Sequence, residues 1–166
     1  MTLRNNSFRF IRGFVFFVLL ISVVAINAQS GLSATDVKRM DLIMNAETYL
    51  GLKYRARVKK NIFDCSGYVK FLMALIGVNV TRSSISQIHD GTRVKDPAKA
   101  RPGDIVVFKG RNARNNRPGH VGIVHHLRRD TLYFIHSSVT KGVTIDHLYE
   151  PYYKRRFLQV RDVIGD

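Results

Sequence analysis

The sequence predicts an α+β domain, helices first and an antiparallel sheet after them. Three observations predict it. In the first half, apolar residues recur at helical spacing around positions 37–50 and 69–76, with Gly51 and Gly77 as stops. Beyond position 105 the pattern becomes short β-rich runs separated by turn residues. The chain has 166 residues, 45% of them hydrophobic, enough for one core, and neither an internal repeat nor a low-complexity segment divides it.

Residues 1–28 read as a secretory signal peptide. Arg4, Arg9 and Arg12 precede the apolar run Phe14–Ile26, and Ala28 is a small residue before a cut. The run is shorter than the roughly 20 residues a spanning helix needs, although an uncleaved anchor is the competing reading. Residues 29–166 would then form one exported domain, periplasmic or secreted, with no membrane span after cleavage. The sole cysteine, Cys65, is too far from the cut to carry a lipid there.

The first helix is expected over Ser33–Leu50, its core stripe being Val37, Met40 and Met44, with Leu50 as the candidate at its end. Arg55–Lys60 reads as a solvated basic loop. The second helix opens near Cys65 and carries Val69, Phe71, Leu72, Leu75 and Ile76. Thr81–Ser84 would cap a short helix running to about His89, and Asp90–Ala100 would be a polar loop. Strands follow at Ile105–Phe108, His120–Val124, Leu132–His136, Val143–Ile145 and Phe157–Val163, giving a sheet of about five to six strands with a turn at Arg128–Asp130.

Charge narrows the partners without choosing one. The net charge is +15, falling to +12 when the three leader arginines are removed. Such a surface suits nucleic acid, anionic lipid or acidic envelope polymers. Export and the lack of a recognition motif argue against nucleic acid.

The chemistry converges on Cys65. It would lie in the first turn of a helix, where free N–H groups and the dipole favour a thiolate and lower the thiol pKa. A buried, inert thiol is the plain alternative. A base could come from His120 and His136, whose midpoint, residue 128, falls in the proposed turn. They share a sheet face if the turn centres there without a bulge, and a one-residue slip separates them. His120 would take the thiol proton and return it to a leaving amine. His136 would accept a hydrogen bond and set the His120 tautomer. The Cys65 N–H would meet the oxyanion. His89, His125, His126 and His147 are assigned to surface or packing, with His125 and His126 on opposite faces of a strand. A zinc site of Cys65, His120 and His136 lacks a close-spaced ligand pair, so neither metal nor cofactor is expected.

Asp64-Cys65-Ser66-Gly67, Arg82-Ser83-Ser84 with Gln87, Arg101-Pro102-Gly103-Asp104-Ile105-Val106-Val107-Phe108, Gly119-His120-Val121-Gly122-Ile123-Val124 and Ile135-His136-Ser137 resemble the NlpC/P60 cell-wall peptidases in order and rough spacing. The resemblance covers about residues 45–163. It implies a papain-like α+β fold with N-terminal helices on an antiparallel sheet. It also implies Cys65 as nucleophile, His120 as base and His136 as orienting residue. The substrate implied is the peptidoglycan stem peptide, typically cut between D-γ-glutamyl and a diamino acid such as meso-diaminopimelate. Tyr54 resembles the family's tyrosine near the thiol, while Asp64, Ser66, Arg82 and Ser84 match positions that line the substrate groove. Arg82 could meet a stem-peptide carboxylate. The sequence departs from the family after Tyr54, where Arg55-Ala56-Arg57 and Lys59-Lys60 replace a usual Gly-Gly pair and make one groove wall basic. The other readings are a papain-like amidase or acyltransferase and a catalytically silent envelope-binding protein.

Overall fold

The computed structural model describes residues 31–165; the signal-peptide reading of 1–28 lies outside them. Helix α1 spans Ala34–Glu47, and its packing differs from the expected stripe. Val37, Met40, Met44 and Leu50 are all exposed, whereas Arg39, Leu42 and Ala46 are buried. The helix is fastened by charge as well as by apolar contact. One Nη of Arg39 donates to Asp104 at 2.9 Å and the other to Asp162 at 2.8 Å.

The basic stretch after Tyr54 is a small hairpin rather than a loop. Strand β1 (Arg57–Val58) pairs with β2 (Asn61–Ile62). Helix α2 (Cys65–Leu75) follows, and Gly77 ends it at φ +75°, the left-handed position where a residue without Cβ is favoured. Helix α3 is the short Ser84–Gln87, capped by Ser83.

Six strands form one antiparallel sheet: β3 (Thr92–Val94), β4 (Ile105–Lys109), β5 (Pro118–Arg128), β6 (Thr131–Ser138), β7 (Gly142–His147) and β8 (Phe157–Asp162). Their order is β3-β8-β4-β5-β6-β7. β3 lies within the segment expected to be a polar loop. It is a short polar edge strand, so it shows no hydrophobic alternation. One sheet face packs Val107, Val121, Ile123 and Ile135 under α1 and α2. The other is not bare: Phe108, Val124 and Phe134 pack there with Tyr153 of α4 (Pro151–Lys154).

The register of β5 and β6 decides where the histidines point. The turn is Arg129-Asp130, both at positive φ, as in a type I′ hairpin. It closes on the pair Arg128–Thr131, so its centre is not residue 128. Continued unbroken, that register would put His120 and His136 on opposite faces. A bulge removes the mismatch: His126 pairs with Tyr133 but Val124 with Phe134, leaving His125 as the extra residue. Past it, the ladder places His136 opposite Gly122 and His120 one diagonal away on the same face. The bulge also overturns the expected separation of His125 and His126, whose Nδ1 atoms lie 2.7 Å apart.

Candidate active site

Asp64 caps α2, its Oδ1 accepting from the Gly67 N–H at 2.7 Å. A Cβ on Gly67 would lie 2.2 Å from the Ile62 carbonyl oxygen, so only glycine lets β2 rest against this turn. Asp64 also receives a guanidinium fork. Arg82 donates to Oδ1 at 3.0 Å and Oδ2 at 2.8 Å, and its Nη1 donates to the Ser66 hydroxyl at 3.1 Å. Buried Gln87 fastens the Arg82 segment to the helix start by donating to the Ser66 and Thr81 carbonyls. Asp64, Ser66 and Arg82 thus form one bonded group, in which the Ser84 hydroxyl takes no part.

Cys65 is the first residue of α2 and is 9% exposed. Burial pushes its thiol above the ordinary range, and the Asp64 charge adds to this. The N–H groups of Val121, Ser66 and Cys65 itself favour the thiolate but do not outweigh the loss of water. Burial thus works against the lowering expected from the helix start and outweighs it. Tyr54, half-buried, shares this electrostatic environment. Its hydroxyl is pushed up by burial and then by Cys65 and Asp64.

Since the Val121 N–H is near enough to favour the Cys65 thiolate, the sulfur lies beside β5, one residue along from His120. His120 Nε2 lies 2.8 Å from His136 Nδ1. His136 is fully buried, and its Nε2 lies 3.0 Å from Asp146 Oδ2. Asp146 also accepts from the Tyr153 hydroxyl at 2.8 Å and the Lys141 ammonium at 2.7 Å. Burial raises the Asp146 pKa, but the bonds from His136, Lys141 and Tyr153 prevail and hold it well below the carboxylate range. An ionised Asp146 requires a proton on His136 Nε2. With that proton on Nε2, His136 Nδ1 is the atom that shares a hydrogen with His120 Nε2. Burial, then the His136 ring, depresses His120 to about 3, so its ring is neutral at ordinary pH.

Asp146, Tyr153 and Lys141 were not among the residues expected at the site. The structure supplies what the sequence did not: Thr144 is the strand mate of His136, so Asp146, two residues on, shares its face. A cavity of about 300 Å³ opens beside His120 and His136, and a second of about 220 Å³ is lined by Lys60, Lys70 and Arg82. Among the described residues no group of three or more His, Cys, Asp or Glu side chains could hold a metal ion. No helix among them is long and apolar enough to cross a membrane.

The family model described as NlpC/P60 family matches residues 51–162. Murein DD-endopeptidase MepS/Murein LD-carboxypeptidase of Escherichia coli strain K12 is 33% identical over 133 residues, which cover 78% of this chain and 65% of that protein. Gamma-DL-glutamyl hydrolase of Bacillus subtilis is 26% identical over 157 residues, covering 90% of this chain but 36% of that protein. The chain thus spans about a third to two thirds of the length of these two relatives. The probable endopeptidase NlpC of Escherichia coli is 31% identical, with 67% of this chain and 68% of that protein covered. A crystal structure of an NlpC/P60 family protein from Bacillus cereus has the same fold, with TM-score 0.63 and 24% identity, covering 76% of this chain and 40% of that one. The peptidoglycan hydrolase RipB of Mycobacterium tuberculosis also has this fold, with TM-score 0.59 and 22% identity, covering 80% and 67%.

Proposed function

The chain belongs to the NlpC/P60 family, and from that premise we propose that it is an exported cysteine endopeptidase hydrolysing peptidoglycan stem peptides. The bond we assign is that between D-γ-glutamyl and a diamino acid such as meso-diaminopimelate. The observation that carries this reading is the His120–His136 contact at 2.8 Å, backed by Asp146 and beginning one residue from the β5 amide that meets the Cys65 sulfur.

Cys65 is the nucleophile, and His120 takes its proton as the sulfur attacks the carbonyl carbon. The N–H groups at the start of α2 receive the oxyanion. Collapse breaks the C–N bond, His120 gives the proton to the departing amine, and a thioester remains. Water, deprotonated by His120, then attacks the thioester and restores the thiol. The pair works from a neutral thiol and a neutral imidazole, as the raised Cys65 and lowered His120 support. Tyr54, Asp64, Ser66, Arg82 and Ser84 are assigned to the acyl side of the groove. Because Asp64 already holds the Arg82 fork, a substrate carboxylate would be met by the arginine of an ion pair, not by a free one.

The test is digestion of purified muropeptides read by mass spectrometry. The expected product has a new D-glutamyl terminus, and Cys65→Ala and His120→Ala abolish it; full activity of Cys65→Ala would overturn the nucleophile assignment. The name of the Escherichia coli relative supports a second reading, a murein DD-endopeptidase, which product masses separate from the first. The same masses would reveal an amidase or acyltransferase. A silent envelope-binding protein would give no new products. A net charge of +15 supports docking to anionic envelope polymers. Binding to intact sacculi should then weaken as salt rises, and salt-independent binding would contradict it.

A further inference from the structure

We propose that the cavity between the β1–β2 hairpin and α2 is an anion site, and that it takes a phosphodiester group of an envelope polymer. This rests on the envelope docking proposed above and deepens it. The cavity has about 220 Å³ and is lined by Lys60, Asn61 and Ile62 of the hairpin, Gly67 and Lys70 of α2, and Arg82. Three cations and no acid border it. A Cβ on Gly67 would lie 3.1 Å from Arg82 Nη2, so the glycine keeps the floor open beside the guanidinium.

The three cations have donors to spare. Lys70 spends one ammonium hydrogen on the Val80 carbonyl at 2.6 Å, which leaves two. Lys60 is exposed, and its ammonium is bonded to nothing among the described residues. Arg82 commits three of its five donors, to the two Asp64 oxygens and the Ser66 hydroxyl, and keeps two. Setting the Asp64 carboxylate against Arg82 leaves two of the three positive charges unmatched. Residues 53–63 carry five cations and no acid, so the hairpin supplies no carboxylate to neutralise them. Nor is the hairpin a free flap. Val58 packs against the main core, the Arg55 N–H donates to the Phe63 carbonyl at 2.8 Å, and the Phe63 N–H donates to the Ala56 carbonyl at 3.0 Å. The oxygens of a phosphodiester spread tetrahedrally and can be met from three sides. The two of a carboxylate lie in one plane and suit a single fork, which Asp64 already occupies on Arg82.

The test measures binding of a fluorescein-labelled poly(glycerol phosphate) oligomer by anisotropy at fixed salt. Lys60→Gln should raise Kd about tenfold, the worth of one charge-assisted hydrogen bond, and Lys70→Gln likewise. Lys154→Gln removes the same charge from α4, on the other side of the sheet, and should change Kd by less than about twofold. Lys70 also braces the Val80 carbonyl, so thermal melting accompanies that variant; the exposed Lys60 carries the test alone if Lys70→Gln unfolds. An oligogalacturonate of equal charge, bearing carboxylates only, should bind more weakly and lose no more from Lys60→Gln than from Lys154→Gln. Equal losses of the phosphate oligomer in those two variants would overturn the site, and the same Lys60 dependence with oligogalacturonate would overturn its preference for phosphodiesters. Phosphatidylglycerol vesicles present the same group on a lipid: if they bind in a Lys60-dependent way and the oligomer does not, the partner is a membrane and the polymer assignment falls. None of these results touches the hydrolase reading, which muropeptide digestion by the wild type decides separately.

Discussion

Asp146 Oδ2 lies 3.0 Å from His136 Nε2, at the far end of a chain that begins at His120. The contact calls for a proton on His136 Nε2 and holds that ring against His120. It makes Asp146 a positioning residue, two hydrogen bonds away from the ring that would handle the thiol proton.

Asp146→Ala should therefore lower kcat by roughly two to four orders of magnitude, as loss of a buried orienting carboxylate does elsewhere. KM should stay within about threefold, because no substrate-facing group is removed. Asp146→Asn, which keeps an acceptor oxygen for His136, should fall between alanine and wild type. A purely structural role would instead reduce the folded fraction and leave kcat per folded molecule intact, so active-site titration alongside thermal melting decides between the two.

Gly122 holds the same chain from the opposite strand. A Cβ there would meet Phe134 Cδ2 at 2.9 Å, His136 Cβ at 3.0 Å and the Ile135 carbonyl oxygen at 3.0 Å. Gly122→Ala should push the His136 ring off its partners. We expect a loss of about 1–3 kcal/mol in stability, the usual cost of overpacking, and a clear drop in kcat. Wild-type turnover in this variant would show that the imidazole chain tolerates displacement.

The motifs at Cys65, His120 and His136 and the positions of the main strands along the chain were readable because each depends on local residue type. The register was not. The turn closes on Arg128–Thr131 instead of centring on residue 128, which shifts the pairing by three; the bulge at His125 shifts it back by one, and only their combination puts the two imidazoles on one face. Asp146 was invisible for the same reason, since its distance from His136 depends on how the β6–β7 turn closes. The thiol was misjudged because helix position is local and burial is not. The α1 stripe failed for a further reason: Arg39 interrupts it and carries the burial in its place.

Arg39 yields a stability prediction. It is 4% exposed and joins α1 to Asp104 and Asp162, with further bonds to the Pro102 and Gly165 carbonyls. Arg39→Met should cost about 3–5 kcal/mol, because it leaves Asp104 buried without its cation, whereas Asp162 keeps Arg101 at 2.7 Å. Arg39→Lys should recover part of this, since one ammonium cannot serve both carboxylates as the fork does. Urea denaturation checks it, and a loss below about 1 kcal/mol would place the pair among the weak surface bridges.

The pH dependence follows from two opposite displacements. His120 is depressed to about 3 by burial and the His136 ring, while burial raises Cys65 above its ordinary range. The neutral pair that proton transfer requires is then present across the whole middle of the scale. On a soluble tetrapeptide, kcat/KM should be flat within about twofold from pH 5 to 8, with no acid limb near the ordinary imidazole value of about 6.5. Alkylation of Cys65 by iodoacetamide should be slow at pH 7 and still be rising beyond about pH 9, since only the thiolate reacts. Stability carries the same sign. The unfolded chain protonates this imidazole below about 6.5 and the folded chain does not, so folding loses free energy as pH falls from there towards about 3. His120→Gln, with no proton to take up, should flatten that part of the stability profile. An acid limb in activity near pH 6.5, or an alkylation rate that levels off below pH 8, would mean that the working pair is a thiolate and an imidazolium.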